Sequence, residues 1–236
     1  MALTRALWRP DCTFETAIGA ICEASANALR IDRVSVWRYD VPGQRLHCIH
    51  SYDGASGGHR PVALLEVLSL EGDDYIAALA DVRTFETSEI QDEPAAANSH
   101  QALRDYLQRH RIHAVLDAPA FVGGELHGVI CHESIQGARI WSREETTFAA
   151  SMGDYVAMAY EIARRHVAEA EIDYLRVHDA ATGLPNRDYM IELIRQRLLA
   201  QSPHDAVPAV VNLRVDAAQS VAMSLGTTSE DEVMAR

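Results

Sequence analysis

Arg33-Val-Ser-Val-Trp-Arg-Tyr-Asp40 alternates in character and is rich in β-branched and aromatic residues, which predicts a strand. Working outward, Val41-Pro-Gly-Gln44 reads as a turn and Arg45 to Tyr52 alternates again, so the two segments form a β-hairpin. Upstream, Thr13 to Leu29 spaces Phe14, Ala17, Ile18, Ile21, Cys22, Ala24 and Leu29 along one helical face, with Asp11 or Thr13 as its cap. Downstream, Asp53 to Gly58 is a glycine-rich loop, Pro61 to Leu70 supplies a further strand, and Asp73 to Asp81 is a short helix capped by Asp73. A polar stretch around Gln91 to Asn98 leads into a helix from His100 to His110. Ala114 to Val122 and Glu125 to Glu133 then make a second hairpin across Gly123-Gly124.

Ser142-Arg-Glu-Glu145 has the spacing of a capping box and opens a long helix. Phe148, Met152, Tyr155, Ala159, Ile162, His166, Ile172 and Leu175 roughly follow one seam along it. That seam reads either as a dimer interface or as one amphipathic face laid on the protein's own sheet. Thr182-Gly-Leu-Pro-Asn-Arg187 interrupts the helix. A further helix is expected from Asp188 to Ala200, then a buried strand from Ala209 to Val215 and a last helical stretch. An unfinished α/β unit of this kind is expected of a fragment of a longer protein.

Acidic residues number 34 against 21 basic ones, a formal charge of −13, which argues against binding to nucleic-acid backbones. Cys12, Cys22, Cys48 and Cys131 contain no C-x-x-C pair, so they read as free thiols of a reducing compartment. The N-terminus lacks the uninterrupted apolar core of a signal peptide, and no stretch reaches the ~20 apolar residues of a membrane span. A cytoplasmic protein without membrane insertion is expected. No G-x-S-x-G, P-loop or H-E-x-x-H pattern occurs, so the common hydrolase and triphosphatase signals are missing.

Several ordered pieces resemble a bacterial GAF domain: Arg33 to Asp40, Leu116-Asp-Ala-Pro119, Gly123-Gly-Glu-Leu-His-Gly-Val-Ile-Cys-His-Glu133, and Trp141-Ser-Arg-Glu-Glu145 at the closing helix. His178-Asp-Ala-Ala-Thr-Gly-Leu-Pro-Asn-Arg187 resembles the opening signature of GGDEF domains, Asp-x-Leu-Thr-Gly-Leu-Pro-Asn-Arg, with Ala181 in place of Leu. The resemblance implies an α+β GAF fold, an antiparallel sheet with helices on one face and a ligand pocket on the other. A long connecting helix and a partial α/β GGDEF domain would follow. The expected organisation is a tail over 1–12, a GAF sensory domain over 13–165, a signalling helix over 166–178, and a truncated, degenerate GGDEF domain over 179–236.

GGDEF enzymes condense GTP on Mg²⁺, so the family needs a carboxylate ligand on the strand after its first helix. The equivalent run here is Leu213-Arg-Val-Asp-Ala-Ala-Gln219, which puts Arg214 at the ligand position and Ala222 at the guanine-reading one; Asp216 and Gly226 are retained. A guanidinium has donors and no lone pair for a metal. The GGDEF signature itself would lie beyond Arg236. This chain is therefore expected to have no catalytic residues, although its parent can be a cyclic-di-GMP cyclase or phosphodiesterase.

For the GAF part, alternation places Ser35, Trp37 and Tyr39 on one strand face. By analogy with bilin-binding GAF domains, these residues line the ligand cavity with Val115, Asp117 and Pro119 and with Val129, Cys131 and Glu133, while Val34, Val36 and Ile130 face the helices. Asp117 reads as the polar anchor or, equally, as a partner for a nearby loop backbone. The resemblance leaves the cofactor unidentified. The helix before Ala114 holds Ala102 and Leu103 where bilin relatives carry a Cys-His pair, which argues against a covalent bilin. The cyclic-nucleotide signature has no counterpart either. Cys48 with His50, facing Cys131 with Glu133, form a weaker metal alternative, and no metal is expected. His47 and His50 fall on opposite strand faces, and His110-x-x-His113 straddles a helix end. The functions open at this point are a small-molecule sensor acting through a dimeric 142–178 helix, the upstream part of a cyclic-di-GMP enzyme, and a ligand-free dimerisation scaffold.

Overall fold

The computed structural model describes residues 12–60, 66–87 and 100–200, together with Arg9, Ala209 and Val211. Apart from Ala209 and Val211, the strand expected over 209–215 lies outside the described residues, as do Arg214, Asp216, Ala222, Gly226 and Gln91 to Asn98. The chain divides into two units, residues 1–164 and 165–236. Among the described residues, no helix is long and apolar enough to cross a membrane.

Thr13 opens α1 (Phe14–Leu29): its hydroxyl accepts from the Thr16 amide at 3.2 Å, satisfying one of the free N–H groups of the first turn. The strands are β1 (Arg33–Asp40), β2 (Arg45–Asp53), β3 (Gly58–His59), β4 (Val67–Ser69), β5 (Phe85–Thr87), β6 (Ala114–Val122) and β7 (Glu125–Ser134). They form one antiparallel sheet in the order β3-β2-β1-β7-β6-β5, with β4 added beside β2. The β6–β7 hairpin turns on Gly123 and Gly124, at φ 61° and 87°. Two consecutive positive φ values match the twist of a tight hairpin and are open to glycine at no steric cost.

Strand alternation sorts the side chains into two cores. Val34 and Val36 of β1, Leu116, Ala118 and Ala120 of β6, and Ile130 of β7 pack with Ile18, Ile21 and Cys22 of α1. Met152, Val156 and Ala159 of α4 (Arg143–Val177) complete that core. The opposite parity builds a second core, covered by α2 (Tyr75–Ala80) and α3 (Gln101–Arg109). Both sheet faces are thus covered, which is why β1, β6 and β7 are buried almost continuously rather than on alternate residues.

A bulge between Val36 and Trp37 in the β1–β2 ladder makes Ile49 the extra residue: His50 stands opposite Val36, but Cys48 stands opposite Trp37. This corrects the expected face assignments. Cys48 packs in the second core, whereas His50 lies beside Gly19 of α1 and bonds His59 at 2.8 Å. His47, opposite Arg38, shares the His50 side of the sheet. Cys48 and His50 therefore cannot present a joint ligand pair.

Helix α4 begins with the capping box: the Ser142 amide donates to Glu145 Oε2 at 2.8 Å and the Glu145 amide to Ser142 Oγ at 3.2 Å. Of the expected seam, Met152 and Ala159 are buried on the sheet, and Phe148 and Tyr155 pack at the edge of the same core. For these four positions the face laid on the protein's own sheet is the one observed. Gly153 sets how close α4 comes. A Cβ there would stand 2.6 Å from the Pro119 carbonyl oxygen and 3.3 Å from Ala118 Cβ, both held by β6. Gly153→Val is expected to destabilise the unit by roughly 1–3 kcal/mol, since the overpacking outweighs the helix-propensity gain. Urea unfolding measures it; a stability equal to wild type would show that α4 slides freely on β6.

In the second unit, the turn after α4 is tied by its own side chains. Asp179 Oδ1 accepts from the Thr182 amide at 3.0 Å and its hydroxyl at 2.8 Å, and the Tyr174 hydroxyl donates to the Gly183 carbonyl at 3.2 Å. Asn186 caps α5 (Arg187–Leu199), accepting from the Tyr189 amide at 2.9 Å and donating to the Arg176 carbonyl at 2.8 Å. No residue of α5 is buried.

Candidate functional site

The second core is where the sequence places the ligand. Trp37, Val115, Asp117, Cys131 and Glu133 line one small cavity there, with Tyr75 of α2 and Leu103, Tyr106 and Leu107 of α3 opposite them. Ser35 and Trp37 line an adjoining cavity with Ser51, Arg60, Glu66, Tyr106 and His110. Val129 packs in the same core and Tyr39 lies at its edge. Pro119 is buried but lines neither cavity. The cavity beside Asp117 holds about 10 Å³, room for a single water, because the α2 and α3 side chains fill the face expected to be an open pocket.

Sequence reasoning missed Arg33, whose parity matches Ser35 and Trp37. Its guanidinium is buried and forms an ion pair with Glu133, the two side chains being 8% and 1% exposed. Glu133 Oε1 also accepts from the Tyr106 hydroxyl at 2.9 Å and from Ser35 Oγ at 3.3 Å. Arg33 Nη2 donates to the Tyr106 oxygen at 3.2 Å, and Trp37 Nε1 donates to Ser35 Oγ at 2.9 Å. Every oxygen of Glu133 is thereby engaged, so the expected ligand-facing role of this residue is taken by the protein's own donors. Burial works against the Arg33 charge, but its neighbours, Glu133 first, together outweigh it and raise the pKa. Burial, then the Glu133 charge, pushes the Tyr106 phenol far above its usual range. Trp37 and Tyr106 meet edge to face at 5.3 Å.

Asp117 is the contrast. It is fully buried, and its Oδ2 accepts from the Tyr75 hydroxyl at 2.6 Å, not from the loop backbone that was the alternative reading. Its Oδ1 has no hydrogen-bond partner of normal geometry; the Cys131 thiol beside it is a weak donor. Burial raises the carboxyl to about 7, against the lowering effect of the Tyr75 and Cys131 donors, and the Glu133 charge adds to the rise. Burial, then the Asp117 charge, holds the Cys131 thiol well above its usual range. Burial and Glu133 push Cys48 up to about 12. Neither thiol is activated as a nucleophile.

The tyrosine that bonds Asp117 is itself held in place. Asp73 Oδ1 accepts from the Tyr75 amide and Asp73 Oδ2 from the Ala102 amide, each at 2.8 Å, which staples the start of α2 to the start of α3. Asp74 Oδ1 accepts from the His100 amide at 3.0 Å and lies 2.8 Å from His100 Nδ1. Asp73, Asp74 and His100 are the grouping with metal-ligand spacing among the described residues. Three of their four carboxylate oxygens already accept from these backbone amides. Tyr75, Phe85 and His100 stack edge to face over the same spot, at 5.3 to 6.0 Å between ring centres.

Solved structures share this architecture. The GAF domain of Thermosynechococcus elongatus PixJ, in its blue-light-absorbing form, aligns over 70% of this chain and 94% of its own, with a TM-score of 0.55 at 18% identity. The red/green cyanobacteriochrome NpR6012g4 aligns over 64% of this chain and 96% of its own, with a TM-score of 0.53 at 19% identity. The chromophore-binding domain of Stigmatella aurantiaca bacteriophytochrome aligns over 68% and 58%, with a TM-score of 0.50 at 15% identity. At these identities the likeness is one of fold. No curated protein sequence matches the chain. Residues 13–160 match the GAF domain family, well over half of the 236 residues, and the chain belongs to the GAF domain family.

Proposed function

We propose that this protein is a regulatory sensor that binds a small molecule on the Trp37–Asp117 face of its sheet and passes the signal along α4 to a cyclic-di-GMP output domain. The observation that carries the binding half is Asp117: a fully buried carboxylate that lines a cavity and has one oxygen without a hydrogen-bond partner is costly to keep ionised. The output half rests on His178 to Arg187 and its resemblance to the GGDEF opening signature, supported by the turn that Asp179, Thr182 and Asn186 tie together. In this reading the GAF domain covers 13–165, the signalling helix 166–178 and a degenerate GGDEF domain 179–236. The protein works in the cytoplasm as a homodimer through the 142–178 helix, a pairing supported by the exposure of Val167, Ile172 and Leu175. Arg214, at the position of the metal-ligand Asp in the resembled family, supports a regulatory output; the alternative is the upstream part of a cyclic-di-GMP cyclase or phosphodiesterase.

A ligand-free scaffold is the second reading, favoured by the same cavity being only about 10 Å³. Native mass spectrometry of freshly purified protein separates the two. A retained small molecule at one copy per chain is the expected result; a bare chain that no added metabolite stabilises against heat establishes the scaffold. Cyclic-di-GMP synthesis from GTP by this chain would overturn the reading of Arg214.

A further inference from the structure

We propose that the ligand of this pocket is a protonated amine, whose ammonium group donates to Asp117 Oδ1. The inference rests on the sensory reading above and names its chemical class. Of the two buried carboxylates in this core, Glu133 has both oxygens engaged by Arg33, Tyr106 and Ser35, whereas Asp117 has one oxygen engaged by Tyr75. The cation that would complete Asp117 cannot come from a lysine, because the sequence contains none. Nor does it come from Arg33, the one buried arginine among the described residues, which is held by Glu133.

Where Asp117 is ionised, charge favours an ammonium over the alternatives. An anionic ligand head would meet Asp117 and Glu133 together in a medium that screens poorly. A neutral N–H donor would bond the oxygen but leave the charge of an ionised Asp117 uncompensated. An ammonium does both, and the cavity that Asp117 lines, about 10 Å³, suits a head of that size. Its lining is partly aromatic, with Tyr75 bonded to the carboxylate and Trp37 and Tyr106 lining the same cavity, and aromatic rings attract cations. Trp37 and Tyr106 also wall the adjoining cavity, so the body of a longer amine is accommodated by parting these two rings.

The groups facing Asp117 set the pH behaviour. They are Tyr75 from α2, Cys131 and Glu133 from β7, and His100, which stacks on Tyr75 from the start of α3. Tyr75 and Cys131 stay protonated across the neutral range, so the carboxyl itself controls binding of the cation. Affinity for an amine is expected to rise between about pH 6 and about pH 8, as Asp117 ionises.

Three probes of one shape test this by calorimetry and thermal shift: phenethylammonium, 2-phenylethanol and phenylacetate, each to about 10 mM. Phenethylammonium is expected to bind and raise the melting temperature, and the other two to do neither. Asp117→Asn, checked for folding by its own melt, is expected to weaken amine binding roughly 10–100-fold and to abolish its pH dependence. Equal binding of the alcohol, an unchanged amine affinity in Asp117→Asn, or no binding by any probe overturns the ligand class. Retention of a different molecule in native mass spectrometry then shows that the sensory reading survives that failure.

Discussion

Glu133→Ala is expected to cost the GAF domain about 3–5 kcal/mol, because it leaves the Arg33 guanidinium charged, buried and without its partner. The guanidinium does not escape by losing its proton, and the pair sits between β1 and β7 in the middle of the sheet, with Arg33 directly opposite Glu133. The Tyr106 hydroxyl and Ser35 Oγ lose their acceptor at the same time. For a domain of this size that loss lowers the melting temperature by roughly 6–20 °C. Arg33→Met combined with Glu133→Leu removes both charges and keeps apolar volume, so the double variant is expected to recover most of the stability. Thermal and urea unfolding of Arg33→Met, Glu133→Leu and the double variant give the coupling directly. A Glu133→Ala protein within about 1 kcal/mol of wild type would falsify the buried pair as described.

Asp117→Asn is expected to act in the opposite direction and to do so by pH. The Asp117 carboxyl titrates near 7 in the folded protein, mainly through burial, against about 3.9 in the unfolded chain. Below about pH 4 both states hold the proton and the group is neutral to stability. Between about pH 4 and 7 the unfolded chain ionises while the folded one does not, so stability falls as pH rises. Above that the penalty levels off, at up to about 4 kcal/mol. An asparagine still accepts from Tyr75 and carries no such penalty, so the variant gains on wild type as pH rises from about 4 to about 7. His132 works with the other sign: buried and lowered to about 4, it contributes stability above its ordinary pKa that is lost as pH falls toward 4. That contribution is common to both proteins and cancels in their difference. Urea denaturation at three pH values measures the difference; a gap that does not grow with pH would mean that Asp117 is already compensated in the folded protein.

The two substitutions show how unlike neighbouring carboxylates become in one core. Glu133 and Asp117 point to the same sheet face from adjacent strands, and both are fully enclosed. One is held by an arginine and two hydroxyls, the other by a single hydroxyl. That difference separates a structural charge pair from a group with an open oxygen. In the sequence both read as pocket residues, with Asp117 as the polar anchor, and nothing local showed that Glu133 is the one held by Arg33.

Alternation along the strands was legible because side-chain direction follows from the backbone alone, one residue at a time. The bounds of β1 and β6, the Gly123-Gly124 hairpin and the Ser142–Glu145 capping box were legible for the same reason: each depends on neighbours within a few residues. The face of His50 was not, since the bulge at Ile49 arises from how β2 pairs with β1. Arg33 was missed because a charged residue opening a strand ordinarily faces water. Only its pairing with Glu133, 100 residues on, makes burial tolerable. Tyr75, Leu103, Tyr106 and Leu107 belong to short helices that local pattern places in the chain but not over the sheet.

The opening strand, Arg33 to Asp40, therefore carries both lessons. By itself the sequence determined that Val34 and Val36 turn one way and Ser35 and Trp37 the other. Only the tertiary structure decided what each face meets: α1 and α4 on one side, and on the other two helices whose tyrosines fill the pocket and bond its carboxylates. The physical reason is range. Strand direction is a property of bonded neighbours, whereas the state of a buried charge depends on every group that folding brings around it.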